Sequence, residues 1–353
     1  MPNLSPALTM LPEWATQEAV ILAWPHEDTD WAPWLDETRL TYIELIKAIN
    51  ANACVVLLLC REKDLGLIKS LVPYQSQVLL LPCDYNDTWV RDYAFITCES
   101  ANGNQGVDFG FNGWGNKFDA SKDNLINQTV LSPLCRRALV TVPVILEGGA
   151  LEIDQNQHLL STASCLLNPE RNKEMTLAAY HNLFGNTLGA SSSSIFTQGL
   201  LEGDDTDGHI DTLVRFTPLH SVVMQSAFNR PQDSHFMPLQ MLKEELSQAL
   251  PSHRIYELPL PHIENKEQQR LPASYANFLI CNNSVIMPIY QQAEDQQAIE
   301  VMTQAFPNHR IITIDCLPLV QQFGSLHCIT MQIPEHTLLP EILLRAQTGV
   351  TTL

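Results

Sequence analysis

At 353 residues, 45% hydrophobic and 17% charged, the chain has the composition of a folded globular protein and excludes a disordered one. Acidic residues outnumber basic ones 39 to 20, and the formal charge of −19 repels phosphate backbones, which argues against a nucleic-acid partner and favours small cations. Met1-Pro2-Asn3-Leu4-Ser5-Pro6 lacks the basic start and apolar core of a secretory signal, and no apolar run is long enough to span a bilayer, so a cytoplasmic protein without membrane contact is expected.

Apolar residues return at three- and four-residue intervals over Leu35 to Ala51, which predicts a helix. Val55 to Cys60, Val78 to Pro82 and Thr88 to Thr97 predict strands. The polar, glycine-bearing stretch from Glu99 to Asn127 predicts a long loop of the kind that serves a binding site. Val144 to Ile153 and His158 to Thr162 predict strands, with a hairpin from Ala150 to Thr162 turning near Gln155-Asn156. A helix over Lys173 to Leu183 follows, then strands over His209 to Phe216 and Ser221 to Gln225, a helix over Leu239 to Leu250 and a strand over Ile255 to Leu260. Phe278 to Ile289 predicts a hairpin on Asn282-Asn283, Glu294 to Phe306 a helix, and Arg310 to Ile314 and Leu326 to Gln332 strands. Hairpins mixed with helices point to an α/β (α+β) architecture and away from a simple parallel doubly wound sheet. No linker divides the chain, so one domain over residues 1–353 is expected; no repeat is visible, and any repeat architecture must be strongly diverged. The nine cysteines are odd in number, scattered and never in a CxxC pair, which argues against a disulfide framework and a zinc site; most read as buried core thiols.

The densest chemistry lies in Glu202-Gly203-Asp204-Asp205-Thr206-Asp207-Gly208-His209-Ile210-Asp211, where five carboxylates and one imidazole share ten residues. On a strand, His209 and Asp211 would point to one face. A calcium loop is disfavoured, because an EF-hand alignment puts Gly203 at the first ligand place and Val214 at the twelfth. Zinc is disfavoured because only His209 is nearby. A solvated acidic turn remains open. In Asn86-Asp87-Thr88-Trp89-Val90-Arg91-Asp92-Tyr93, alternation isolates Asp92 on an apolar face, where it serves an internal salt bridge or a substrate cation. Leu146-Glu147-Gly148-Gly149-Ala150 closes an apolar strand with a charge and two glycines, which form a plain turn or let backbone approach a ligand. In Asn112-Gly113-Trp114-Gly115 the indole is a cation–π wall or a hydrophobic plug. Cys328, in Phe323-Gly324-Ser325-Leu326-His327-Cys328-Ile329-Thr330, is an inert core thiol unless an acid/base such as His209 lies close in space.

In this order, together with Pro12-Glu13-Trp14, Ala23-Trp24-Pro25-His26 and Asp30-Trp31, these segments resemble the agmatine deiminase and bacterial peptidylarginine deiminase-like family of the pentein guanidine-modifying superfamily over nearly the whole chain. The resemblance implies a five-bladed β/α propeller with pseudo-fivefold symmetry. It implies Cys328 as nucleophile, His209 as acid/base, Asp92 and Asp211 as the carboxylates that grip a guanidinium, and Glu147 as an assisting acid that also contacts substrate. Trp89 and Trp114 are further candidates for substrate binding. It implies no metal and no organic cofactor, and relatives that are often dimers, so a homodimer is among the expected assemblies. The expected activity is conversion of agmatine to N-carbamoylputrescine and ammonia, through an amidino-cysteine intermediate, in putrescine biosynthesis. The alternatives are deimination of peptidyl-arginine or another guanidine, and a non-catalytic polyamine or guanidine binder. Two departures from the family pattern, Tyr93-Ala94-Phe95 after Arg91-Asp92 and the thinned glycine run Gly324-Ser325, bear on the substrate more than on the reaction.

Overall fold

In the computed structural model, which describes residues 8–353, five sheets share one three-strand plan: an antiparallel pair followed by a parallel return. The plan appears in Ile96–Glu99, Gln105–Gly110 and Val140–Ile145, then in Glu152–Ile153, His158–Thr162 and Ser192–Phe196. It recurs in Val214–Thr217, Ser221–Gln225 and Arg254–Leu258, and in Leu279–Cys281, Ser284–Ile289 and Arg310–Asp315. The fifth copy joins the two ends of the chain: Met331–Pro334 pairs antiparallel with Gln17–Ala23, which pairs parallel with Val55–Cys60. A parallel return needs a crossover, and four of the five use a helix: Leu35–Asn50, Leu177–Leu188, Phe236–Ala249 and Asp295–Ala305. The return to Val140–Ile145 uses short helical turns instead. This is the expected five-bladed arrangement; the copies share a hydrogen-bonding plan rather than residues, which hides the repeat from the sequence. The reading of Met1 to Pro6 lies outside the described residues.

The fifth sheet is widened by Val78–Pro82 and Val350–Thr352, and its inner parallel strands are buried along nearly their whole length. Strands covered on both faces read as continuous apolar runs, as Val55–Cys60 does. Leu35–Asn50 packs Tyr42, Leu45, Ile46 and Ile49 inward, with Asp36 and Glu37 in its first turn and Lys47 in its last, each favourable to the helix dipole. No helix among the described residues is long and apolar enough to cross a membrane.

Three predicted strands are corrected at the positions that matter most. Thr88 to Thr97 is not one strand: Val90–Tyr93 is a helical turn and the strand begins at Ile96. The Asp123 carboxylate takes the N–H groups of Asn86 and Asp87, and Asp87 takes that of Thr88, so these donors are satisfied without a ladder. His209 and Asp211 do not share a strand face, because Ile210–Thr212 is a 3₁₀ turn and the strand starts at Val214; the Thr212 hydroxyl donates back to the His209 carbonyl at 2.9 Å. Cys328 lies in a turn before Met331–Pro334, where Thr330 donates to the His327 carbonyl at 2.9 Å. The expected loop from Glu99 to Asn127 holds Gln105–Gly110 and two helical turns, and Val144 to Ile153 is broken by a turn at Gly148–Ala150. Gln17–Ala23 and Ser192–Phe196 were not anticipated as strands.

The chain passes from sheet to sheet through links 83–95, 146–151, 197–213, 259–278 and 316–330. Every proposed catalytic residue lies on one of them. Ring closure rests on Ile21, which is fully buried and pairs with Met331 on one side and Leu57 on the other. Ile21→Ala is expected to lower unfolding free energy by about 2–5 kcal/mol, seen as a lower urea midpoint with an unchanged m-value.

Candidate active site

The glycine pair after Glu147 lets three links meet. A Cβ on Gly148 would sit 2.2 Å from the Arg91 carbonyl oxygen, and one on Gly149 would sit 2.6 Å from His209 Nδ1, 2.8 Å from Asp92 Oδ1 and 3.1 Å from Asp211 Oδ2. Only glycine permits that approach. The Gly149 N–H donates to Asp92 Oδ1 and the Trp114 indole N–H to Asp92 Oδ2, each at 2.9 Å. Trp114 is held in the left-handed region at φ 56°, an uncommon backbone state for a bulky residue, so its indole is a positioned donor as well as a wall.

His209 is buried with Nδ1 3.5 Å from Asp92 Oδ1 and Nε2 4.0 Å from Glu147 Oε2. Burial alone would lower its pKa, but the negative charge of Asp92, with Cys165 and Glu147, overcomes this and raises it well above the ordinary value. Asp92 is pushed up by burial, with Asp211 and Glu147 adding and His209 opposing. Glu147 Oε1 accepts from Arg171 Nε at 2.7 Å, and Arg171 Nη1 reaches Asp207 Oδ2 at 2.6 Å. The acidic stretch is therefore divided: Asp207 anchors Arg171, Asp204 caps its own turn through the N–H groups of Thr206 and Gly208, Asp205 faces the cleft, and the Glu202 side chain is exposed.

Cys328 is seated by Asn277, whose Oδ1 accepts the His327 N–H at 2.9 Å and lies 3.4 Å from both the Cys328 N and Sγ. Asn277 Nδ2 donates to Asp211 Oδ2 at 3.3 Å. Burial, then Asp211 and Asp92, push the Cys328 thiol well above its ordinary pKa, which favours its protonated form in the empty site. Asp211 goes the other way: burial raises it, but the hydrogen bond and charge of His327 overcome this and lower it.

His327 binds two carboxylates, Nδ1 to Asp211 Oδ2 at 2.7 Å and Nε2 to Glu13 Oε1 at 2.8 Å. Ionised carboxylates only accept, so both ring nitrogens donate. Glu13 also pairs with Arg91 at 3.2 Å and with Arg215, which bonds Glu152 at 2.7 Å. Three carboxyl groups thus face three cationic side chains in a dry centre, where removing one member leaves an uncompensated charge.

Cys328, Asp92 and Asn277 line a cleft of about 140 Å³, walled by Trp89, Trp114 and Phe323. Trp89 packs against Trp31 at a centroid distance of 5.4 Å. His209, Glu147 and Asp211 do not line this cleft and are buried. The five proposed catalytic residues come from four links, and all five lie in or next to the cleft. Asn277, His327, Arg171 and Cys165 were missed. His327 adjoins Cys328 and Asn277 interrupts the apolar run Tyr275-Ala276-Asn277-Phe278, both weak signals; Cys165 carried none beyond its burial.

Gly149→Ala is expected to reduce kcat/KM roughly 100-fold by displacing His209 and Asp92, with cooperative unfolding retained. The pH dependence of stability isolates Glu13. Burial raises its pKa, but Arg215, His327 and Arg91 overcome this and hold it well below the ordinary 4.5. Its contribution is therefore complete above the unfolded value and lost as pH falls through the folded one. In chemical denaturation, the deficit of Glu13→Gln relative to the parent should be constant above about pH 5 and shrink on further acidification.

A family model for Porphyromonas-type peptidyl-arginine deiminase matches residues 9–334. A Shewanella sp. (strain W3-18-1) protein, provisionally named agmatine deiminase, is 30% identical over 348 residues, covering 91% of this chain and 93% of its own. The C. jejuni agmatine deiminase, solved as a cysteine-to-serine variant with substrate bound, is 33% identical with a TM-score of 0.85 over 94% of this chain and 98% of that one. A Porphyromonas gingivalis structure, provisionally titled arginine deiminase, is 38% identical with a TM-score of 0.87 over 94% of this chain and 100% of that one. With the shared plan of five sheets, these matches place the chain in the Porphyromonas-type peptidyl-arginine deiminase family.

Proposed function

We propose that the chain is a hydrolase of guanidino C–N bonds that converts agmatine and water to N-carbamoylputrescine and ammonia, a step toward putrescine. One observation carries the choice of agmatine: among the described residues Asp30, Asp87, Asp92, Asp204 and Asp205 line the cleft, and no lysine or arginine does. Such a cleft suits a dication and offers no partner to the α-carboxylate of arginine. Its volume of about 140 Å³ is below the ~300–1,000 Å³ of drug-sized sites, which suits a slender alkyl chain between aromatic walls. The agmatine deiminases among the relatives support the same choice.

In the mechanism, Asp92 and Asp211 accept N–H groups of the guanidinium and hold its central carbon before Cys328. Asp211 Oδ1 is buried without a hydrogen-bond partner, which leaves an acceptor for a donor-rich ligand. The bound cation offsets Asp92 and Asp211, so the Cys328 proton is released more easily and the thiolate forms a C–S bond to the guanidinium carbon. The tetrahedral adduct collapses as His209 gives its proton to the departing nitrogen, which leaves as ammonia. Neutral His209 then takes a proton from water, the oxygen adds to the carbon, and the C–S bond breaks to return the thiolate and the ureido product. The proposal includes one catalytic unit over residues 1–353, supported by the pairing of Met331–Pro334 with Gln17–Ala23, and a cytoplasmic location, supported by nine unpaired cysteines.

Ammonia release from agmatine, arginine and a blocked peptidyl-arginine tests the proposal. Agmatine is expected to exceed arginine by about 100-fold or more in kcat/KM, and Cys328→Ala to abolish turnover. Turnover of the peptide alone would contradict the choice of agmatine, and undiminished turnover by Cys328→Ala would contradict the covalent route.

A further inference from the structure

Directly beside His209 lies a thiol that the deimination mechanism does not use. Cys165 is fully buried on the helical turn Ala163–Leu166, and its sulfur, a ring nitrogen of His209 and a carboxylate oxygen of Glu147 all lie within 4.8 Å of one another. Two of the three side chains present atoms with no hydrogen-bond partner, His209 Nε2 and Glu147 Oε2, although both residues are buried. Buried polar atoms are ordinarily paired, so two orphans converging on a third donor atom mark a place shaped for something else.

We propose that Glu147, Cys165 and His209 form a zinc-binding site whose occupation switches the enzyme off. One sulfur, one imidazole nitrogen and one carboxylate oxygen are a donor set that zinc accepts, with water in the fourth position. The surroundings match those of histidine metal ligands: His209 Nδ1 faces Asp92 at 3.5 Å, which leaves Nε2 for the ion, and Arg171 holds Glu147 Oε1 at 2.7 Å, which leaves Oε2 for it. In a tetrahedral zinc site ligand atoms lie roughly 3.5 Å apart, so the side chains need close by only about 1 Å.

Zinc would take the Cys165 sulfur as thiolate and the His209 nitrogen unprotonated, so protons carried by those atoms leave to solvent as the ion binds, and uptake should strengthen with pH. The loss of activity follows because a metallated His209 cannot protonate the leaving nitrogen. That consequence rests on the role proposed for His209, whereas ion binding does not.

Cobalt(II) titration reads binding without activity. In Cys328→Ser, equimolar cobalt is expected to give thiolate charge-transfer and tetrahedral d–d absorption that zinc abolishes. Cys165→Ser, shown to be folded by a cooperative thermal melt, should give no thiolate band. Should Cys165→Ser fail to fold, X-ray absorption of zinc-loaded Cys328→Ser decides, with one sulfur beside nitrogen and oxygen ligands expected. In the parent enzyme, micromolar zinc should reduce ammonia release from agmatine about tenfold or more, reversibly with EDTA. A thiolate band that persists in Cys165→Ser or needs Cys328, a zinc shell without sulfur, or no cobalt binding would overturn the site. Cobalt binding in a protein that does not deiminate agmatine would uphold the site and sink the functional proposal.

Discussion

Three carboxylates buried around the His209 imidazole set the terms for the rest of this molecule. Asp92, Asp211 and Glu147 are removed from water, and each needs compensation close at hand. Asp211 has His327 and Glu147 has Arg171, while Asp92 has only the dipoles of Gly149 and Trp114 and the more distant His209. Burial therefore pushes Asp92 up whereas Asp211 is held down. The least compensated carboxylate is the one that lines the cleft, so the site has a charge vacancy where a guanidinium would enter.

That electrostatic requirement explains much of the architecture around it. Five links meet at one place, and the cations that support the carboxylates come from different links or from beyond them: His327 from the last, Arg91 from the first, Arg171 from a crossover and Arg215 from a strand. Glu13, ahead of the first strand of the ring, ties Arg91, Arg215 and His327 together, so the chain ends are joined by charge at the centre as well as by the pairing of Met331–Pro334 with Gln17–Ala23. Fold closure and site geometry thus share residues. At Gly148 and Gly149 the missing Cβ atoms let three links touch.

Much of this was legible in the sequence, and the remainder was hidden for physical reasons. The long helices and the hairpins at Asn282-Asn283 and near Gln155-Asn156 follow from periodicity and turn chemistry. The turns that carry Asp92, His209 and Cys328 were misread as strands because their β-branched and aromatic residues look strand-like, whereas hydroxyl and carboxylate bonds to nearby backbone bend the chain. Asp92, Glu147, His209, Asp211 and Cys328 were selected together by resemblance, and their spatial convergence is a property of the ring. Their partners Arg171, Asn277, His327 and Cys165 were illegible because a charge or amide gains its meaning only from what the fold places beside it.

The central claim is that burial, reinforced by the negative charge of Asp211 and Asp92, keeps Cys328 a thiol until a cation arrives. Its most direct measurement is the pH dependence of Cys328 carboxamidomethylation by iodoacetamide, followed by mass spectrometry in the parent enzyme and in Asp92→Asn. The parent's midpoint is predicted to lie above the ordinary thiol range, and removing the Asp92 charge to lower it, because the thiolate then forms against less repulsion. A parent midpoint below neutrality, or one that Asp92→Asn leaves unmoved or raises, would contradict the account.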